Sequence, residues 1–333
     1  MQYRDSRQEV TGLTVNRKVN VPASYRYTVR AMVDSLLKTG VFEFIYKKED
    51  QRGNEVVTSS IGHNKQLFGM LAYIDQVDLF NKKLCEDNGV VPADTFGRIT
   101  LFRRFLYFDA FYAPAMPVII CEGKTDNTYI SCAIKSLALS YPSLVLPGTV
   151  PKLSIRLFKY SDRRTSRVTE LTGGVGGLCK LIKHYHDDVT AKFKASVPKH
   201  PVIVLIDNDS GANSVYGAIA GITKKKKPTG LEPFIHVMGN LYVVPTPFAP
   251  GNVQTMIENF FDDATLKTKL SGKEFDWGKD KDDAKHYSKA AFARDVVAKN
   301  AQNIDFSRFR NILDRVVAVI NDYAKKLPSL IAP

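Results

Sequence analysis

Two short stretches carry the residue types that could do chemistry. One is Pro117-Val118-Ile119-Ile120-Cys121-Glu122-Gly123-Lys124-Thr125-Asp126, and the other is Val202-Ile203-Val204-Leu205-Ile206-Asp207-Asn208-Asp209. Each is an apolar, β-branched run that ends abruptly in carboxylates. A strand of a parallel sheet reads this way because both of its faces are covered. Ligands of open α/β sheets sit at the carboxyl ends of such strands. If the two strands are neighbours, Glu122, Asp126, Asp207 and Asp209 pool at one edge. Like charges packed that closely repel, so the arrangement costs stability unless a cation neutralises it. Hard oxygen donors suit Mg²⁺ or Mn²⁺.

The elements that must position these acids follow from the local pattern. Gly123 permits an unusual backbone at the strand-to-helix turn. Thr125 can cap a helix that begins near Asp126 and runs through Ile130, Ala133, Ile134 and Leu137. Asp126 in the first turn is favoured by the helix dipole, which accounts for it without any chemistry. The dipole does not account for Glu122. Alternation puts Asp207 and Asp209 on one side of their strand end. Leu153–Phe158 alternates as a strand, and Thr172–Gly177 reads as a tight glycine-rich connection into a helix from about Leu178. That run lacks the Lys-Ser/Thr of a P-loop. Strands are expected at Phe234–Met238 and Leu241–Val244. Helices are expected from Met256, from Tyr287 and over Phe309–Leu327, the last with Ile312, Leu313, Val316, Val319, Ile320 and Tyr323 as its apolar face.

The chain of 333 residues has a formal net charge of +13, with 44% apolar and 24% charged residues. That is an ordinary globular composition with an unusual charge. The surplus favours a polyanionic partner; plain solubility is the other reading. Lys224-Lys225-Lys226-Lys227-Pro228 poses the same choice, with Lys224 and Lys225 as candidate phosphate contacts. The four cysteines form no C-x-x-C pair, and no apolar stretch approaches a membrane span. The first residues carry no secretory signal, so a reducing cytoplasmic setting without a membrane is expected.

The N-terminal part reads differently. Val10–Asn16 alternates around Gly12 as a hairpin, and Pro22 starts a helix whose apolar positions are Val29, Met32, Val33, Leu36 and Leu37, ended by Gly40. Arg26, Arg30 and Lys38 lie towards its other side, as a solvated face or a nucleic-acid contact. Residues 41–62 read as a loop or hairpin insertion, and 64–113 as mostly helical. Gly97–Phe108 mixes aromatics with arginines, which suits either a nucleic-acid clamp or an amphipathic helix. Pro114 and Pro117 bracket a linker. The expected domains are 1–113, 114–265 and 266–333, the last a helical extension packing on the second.

Glu-Gly-x-Thr-Asp on one strand and Asp-x-Asp on a later one, among alternating β and α elements, resemble the TOPRIM domain. Topoisomerases, bacterial primases and the overcoming-lysogenization-defect (OLD) nucleases share that fold. The resemblance implies a Rossmann-like, mostly parallel sheet flanked by helices. It makes Glu122 the family's invariant acid, Asp126 the second acid of the OLD type, and Asp207 and Asp209 the Asp-x-Asp pair. Ile257-Glu258-Asn259-Phe260 resembles a later segment, with Glu258 as a further carboxylate. Ser288-Lys289-Ala290-Ala291-Phe292 is similar to the lysine-bearing helix that follows. The implied chemistry is phosphodiester hydrolysis with two Mg²⁺ or Mn²⁺ ions, one on Asp207 and Asp209 and the other on Glu122, Asp126 and Glu258, with Lys289 neutralising charge on the phosphate.

Val10–Val21 followed by Tyr25–Gly40 resembles the start of the thumb of bacterial retron reverse transcriptases, over roughly the first 80–110 residues. Leu67–Ile74 is similar to the helix that follows there. The resemblance implies a mainly helical domain that engages the retron non-coding RNA and its RNA–DNA product, through Gly12, Asn16, Arg17, Lys18 and Arg30. A polymerase also needs a palm with a Tyr-x-Asp-Asp hairpin upstream. The only such string, Tyr185-His186-Asp187-Asp188, lies downstream among Leu178, Leu181 and Ile182 at helical spacing. The chain is therefore expected to be the C-terminal part of a retron reverse transcriptase that does not polymerise alone, carrying a TOPRIM effector in anti-phage defence. The alternatives are primase-like nucleotidyl transfer and a nucleic-acid-binding scaffold whose site awaits a partner such as an ATPase.

Overall fold

A computed structural model of the chain describes residues 8–15, 18–49, 54–148, 150–160, 163–248, 251, 253–276, 282 and 284–331. Asn16 and Arg17 lie outside the described residues. The chain divides into two compact units. One comprises Met1–Ala110 with Asp188–Ser196, and the other Phe111–Asp187 with Val197–Pro333.

The first unit is mainly helical. Its short strand pair, Glu9–Val10 with Leu13–Thr14, turns at Thr11 and Gly12, both at positive φ. Helix α1 (Ala23–Thr39) starts after Pro22 and stops at Gly40, whose left-handed backbone lets its N–H donate to Leu36 O. Its Val29, Met32, Val33, Leu36 and Leu37 are buried. Strands β1 (Glu43–Glu49) and β2 (Glu55–Ile61) form an antiparallel hairpin. Helix α2 (Asn64–Asp87) buries Leu67, Leu71, Ile74 and Val77, and α3 (Phe96–Tyr107) buries Phe102, Phe105, Leu106 and Tyr107. The aromatic face of Gly97–Phe108 is thus core. Its Arg98 and Arg104 pair with Asp78 and Asp188.

The second unit is an α/β structure around a mostly parallel five-stranded sheet. In chain order come β3 (Val118–Cys121), α4 (Asp126–Ser136), β4 (Arg156–Leu157), α5 (Gly174–Ala191, whose last residues belong to the first unit), β5 (Val202–Ile206), α6 (Ala212–Thr223), β6 (Ile235–Met238) and β7 (Leu241–Pro245). The strand order is β6-β7-β5-β3-β4, with only the β6/β7 hairpin antiparallel. The chain leaves β3 towards β4 at one edge, then crosses over to β5 on the other side, and leaves β5 towards β7. Loops that depart from neighbouring strands in opposite directions open a crevice, and here that crevice lies between the carboxyl ends of β3 and β5.

Two expectations are corrected. Leu153–Phe158 is two short strands, Lys152–Leu153 and Arg156–Leu157, separated at Ser154 and Ile155. The segment from Met256 is a single 3₁₀ turn, Ile257–Phe260, because Thr255 is bridged to Asn208 before it and extended Phe261 follows it. Tyr185-His186-Asp187-Asp188 lies on α5, as its helical spacing predicts. Helix α7 (Arg310–Ile331) packs Ile312, Leu313, Val316, Val319 and Tyr323 into the same core as Ile119, Ile203 and Tyr242 of the sheet. Among the described residues, no helix is long and apolar enough to cross a membrane.

Candidate active site

Strand register brings the two acidic strand ends together. Ile120 pairs with Val204 and Cys121 with Leu205, so the next residues face each other. Glu122 N–H donates to Leu205 O at 3.0 Å, and Asp207 N–H donates to Glu122 Oε2 at 3.3 Å. Both runs are fully covered up to these residues, where the sheet stops and polar groups begin.

Asp126 joins them by reaching back. Its Oδ2 accepts the Gly123 N–H at 2.7 Å and its Oδ1 accepts the Thr125 hydroxyl at 3.3 Å. Thr125 therefore makes no side-chain cap. Gly123 supplies space rather than an unusual backbone, since its φ is not positive. A Cβ there would lie 2.7 Å from Asp126 Oδ1.

Glu258 arrives from the β7 side. Thr246 N–H continues the ladder to Ile206 O, and Thr255 exchanges both backbone hydrogen bonds with Asn208. Ile257 N–H then donates to Asp207 Oδ1 at 2.8 Å, which seats the next residue over the crevice. Glu258 is wholly buried, and its Oε2 has no hydrogen-bond partner. Its Oε1 lies 2.9 Å from Lys289 Nζ. Lys289 stands at the start of a helical turn capped by Ser288, three residues before buried Phe292. Phe292 stacks on Phe275 and meets Phe261 and Tyr129 edge-on. That aromatic cluster anchors the turn carrying the ammonium.

Asp209 accepts the Gly211 N–H on Oδ1 at 2.8 Å. Its charge registers at Glu122.

Burial pushes Glu122 up to about 7, with the Asp209 and Asp126 charges adding and the Asp207 N–H and Lys289 opposing. Burial pushes Asp126 up to about 6, helped by Glu258 and opposed by the Gly123 N–H. Burial and then the charges of Asp126, Glu258 and Glu122 push Asp207 up to about 8. For Lys289, burial acts downward, but Glu258, Asp207 and Asp126 outweigh it and hold the ammonium above its usual range. The acids behave as one negatively charged cluster short of positive charge.

A hard divalent ion fits this set. The donors are all carboxylate oxygens, and Glu258 Oε2 is a buried acceptor with nothing to accept. Glu122, Asp207 and Asp209 are each tethered to a backbone N–H through one oxygen, which leaves the second oxygen open. Among the described residues, no three such side chains converge closely enough to enclose an ion as they stand. Ion binding would therefore need side-chain adjustment around this crevice.

No family model matches the chain, and no solved structure matches it. The site is therefore argued from its geometry.

The remaining candidate residues have surroundings of their own. Lys224 and Lys225 follow α6 and are exposed. Gly12, Lys18 and Arg30 are exposed in the first unit. His184 pairs with Glu170, His186 with Asp187 and Asp188 with Arg104, so that histidine-acid cluster is divided among separate partners. The glycine run does touch the site: Gly174 N–H donates to Glu122 O at 2.9 Å.

The residue that sequence reading missed is Asn208. It lies between two same-side acids, so it must point the other way, and that is the signal that could have found it. It is buried. Its Nδ2 donates to Gly230 O and Thr246 O, and its Oδ1 accepts from the Tyr216 hydroxyl. Gly230 is required beside it: at φ +83°, a Cβ would lie 2.4 Å from Asn208 Oδ1. Asn208→Ala would leave two buried groups unpaired, Gly230 O and the Tyr216 hydroxyl, while Thr246 O keeps the Thr255 hydroxyl. The expected loss is about 2–4 kcal/mol of unfolding free energy in urea titrations.

Proposed function

We propose that the second unit is a TOPRIM-type, metal-dependent nuclease of the OLD kind. We further propose that the chain is the thumb and effector part of a retron reverse transcriptase acting in anti-phage defence in the cytoplasm. The observation that carries the nuclease reading is the register of β3 and β5, which sets Glu122 against Asp207 while Asp126, Asp209, Glu258 and Lys289 gather around the same crevice. The basic net charge and the exposed cations of the first unit support a nucleic-acid partner, for which retron RNA and its RNA–DNA product are the proposed identities.

Glu122, Asp126, Asp207, Asp209 and Glu258 would hold Mg²⁺ or Mn²⁺. When bound, the ions would supply a water nucleophile at neutral pH and a counter-charge for the leaving oxygen. The chain's own residues do the rest. Backbone N–H groups of Gly123, Asp207, Gly211 and Ile257 each hold one oxygen of a carboxylate, which keeps four acids at the crevice while their side chains adjust to an ion. Lys289 offers its ammonium to Glu258, and an arriving phosphate would compete for it. Phe261, Phe292 and Tyr129 form a buried apolar wall beside Glu258, which strengthens every charge interaction within.

The test is incubation of the purified chain with end-labelled DNA and RNA, with Mg²⁺, Mn²⁺ or EDTA. Wild type should cut only with metal, and Glu122→Ala should lower the rate at least about 10³-fold. Extension products would favour nucleotidyl transfer instead. Equal behaviour of wild type and Glu122→Ala would sink the nuclease reading.

The Glu258–Lys289 ion pair favours a second reading: a site held inactive until a partner, such as an ATPase, or the substrate itself draws Lys289 away. Cleavage that appears only when such a partner is added would select it.

A further inference from the structure

A cleft of about 630 Å³ opens within the first unit, between α1, the start of α3 and Lys192. It has no part in the carboxylate site. Ala23, Arg26, Tyr27, Arg30, Asp34 and Leu37 of α1 line it, a single stripe at helical spacing. Facing them are Phe96 and the residues that follow it. The volume is that of a small-ligand pocket.

The charges lining the cleft are not equally available. Asp78 is taken by Arg98 through two hydrogen bonds. Asp94 accepts the Phe96 N–H at 2.7 Å, and Asp34 lies 3.6 Å from Lys38. Asp75 is buried and engaged. Arg104 is held by Asp188. Arg26, Arg30 and Lys192 have no ion-pair partner among the described residues, and of the acids whose partners are given only Asp94 is likewise without a cation, so unpaired cations outnumber unpaired acids in the cleft.

Two rings stand at the same opening without ring partners among the described residues. Tyr27 is 69% exposed and Phe96 is 68% exposed. Leaving two large rings in water is unfavourable unless something covers them. Thr100 adds a buried hydroxyl in the wall with no hydrogen-bond partner. Surplus cations, open rings and a spare hydroxyl match phosphates, bases and a sugar or base edge in turn.

We propose that this cleft holds unpaired nucleotides of a single-stranded nucleic acid, with bases on Tyr27 and Phe96 and phosphates on Arg26, Arg30 and Lys192. A duplex hides the base faces that such rings need, and surplus cations alone would not select against it. The inference rests on the reading of the first unit as a nucleic-acid grip and makes it specific to an unpaired strand. It does not depend on cleavage.

The experiment reads fluorescence anisotropy of the full chain in EDTA, against labelled single strands of about 12 nucleotides, as DNA and as RNA, and a blunt duplex of the same length. The single strand should bind more tightly than the duplex. Tyr27→Ala and Phe96→Ala should each weaken single-strand binding about five-fold or more and leave duplex binding unchanged. Both rings are exposed, so neither variant threatens folding. Arg26→Ala combined with Arg30→Ala should also lower the salt slope by about one or more. The DNA and RNA arms identify the sugar. Equal binding of duplex and single strand, or wild-type affinity in both aromatic variants, overturns the proposal. A chain that binds this way but never cuts leaves the cleft standing and removes the nuclease reading. A chain that cuts while the aromatic variants bind normally does the reverse.

Discussion

Asp207→Asn is expected to abolish metal-dependent cleavage and, at the same time, to make the metal-free chain more stable at pH 8. Asp207 is the most strongly raised of the three site carboxylates pushed upward, at about 8, because it is buried among the charges of Asp126, Glu258 and Glu122. The sign follows from proton uptake. Between the usual aspartate value of 3.8 and about 8, the folded chain holds a proton that the unfolded chain releases. Stability contributed by that proton is present in full below the lower value and is lost as pH rises through the upper one. Asparagine keeps an oxygen for the Ile257 N–H and cannot ionise, so the variant should lack most of this decline. The gain at pH 8 should be a few kcal/mol, well below the full linkage value because neighbouring acids share the repulsion. Thermal melts in EDTA at pH 5 and pH 8 check it. Wild type should lose melting temperature between the two and the variant much less. Mg²⁺ should restore wild type more at pH 8 than at pH 5, because protons and the ion compete for the same oxygens. A variant less stable than wild type at pH 8 would mean that Asp207 is held mainly by its hydrogen bond.

The same local physics explains which features could be read in advance. Val118–Cys121 and Val202–Ile206 are legible because uninterrupted β-branched runs leave only a buried parallel strand as a home. Glu122 and Asp207 followed from where those runs stop. Their direct contact did not, since register depends on pairing across about 85 residues of chain rather than on local pattern. Gly40 and Pro22 were legible as helix punctuation because their backbone preferences act within one turn. Gly123 was legible as special for the wrong reason: spacing marked the turn, but only the fold places Asp126 where a Cβ would stand. Met256–Phe261 has helix-compatible residues, yet the bridge from Thr255 to Asn208 overrides local preference and turns the segment into a 3₁₀ turn. Asn208 was missed because its neighbours' charges drew attention to the other side of the strand. The cleft of the first unit could not be read at all, because Phe96 faces Tyr27 only after α1 and α3 pack.

The Glu258–Lys289 pair has the second large expected effect. Glu258 is fully buried, and among the described residues Lys289 is its only cation at hydrogen-bonding distance, 2.9 Å away. Lys289→Met keeps the aliphatic stem that packs by the Phe292 turn and removes the ammonium. A buried carboxylate left without its partner costs about 3–5 kcal/mol. The Lys289 end is about one-third exposed, and water can screen Glu258 from that side, so about 2–3 kcal/mol is the expectation. Glu258→Gln alone removes the charge that demands compensation and should cost less. The double variant should lie near Glu258→Gln rather than at the sum of the two, because once the carboxylate is neutral the missing ammonium no longer matters. Urea unfolding of the four proteins in EDTA gives this cycle directly. Mg²⁺ supplies a second diagnostic. If the ion and the ammonium serve the same negative cluster, saturating Mg²⁺ should stabilise Lys289→Met more than wild type. Equal stabilisation would mean that Lys289 does not compensate the charges that bind the ion. Its place would then be towards the phosphate, and Lys289→Met should lower the cleavage rate while leaving metal affinity, read by isothermal titration, as in wild type.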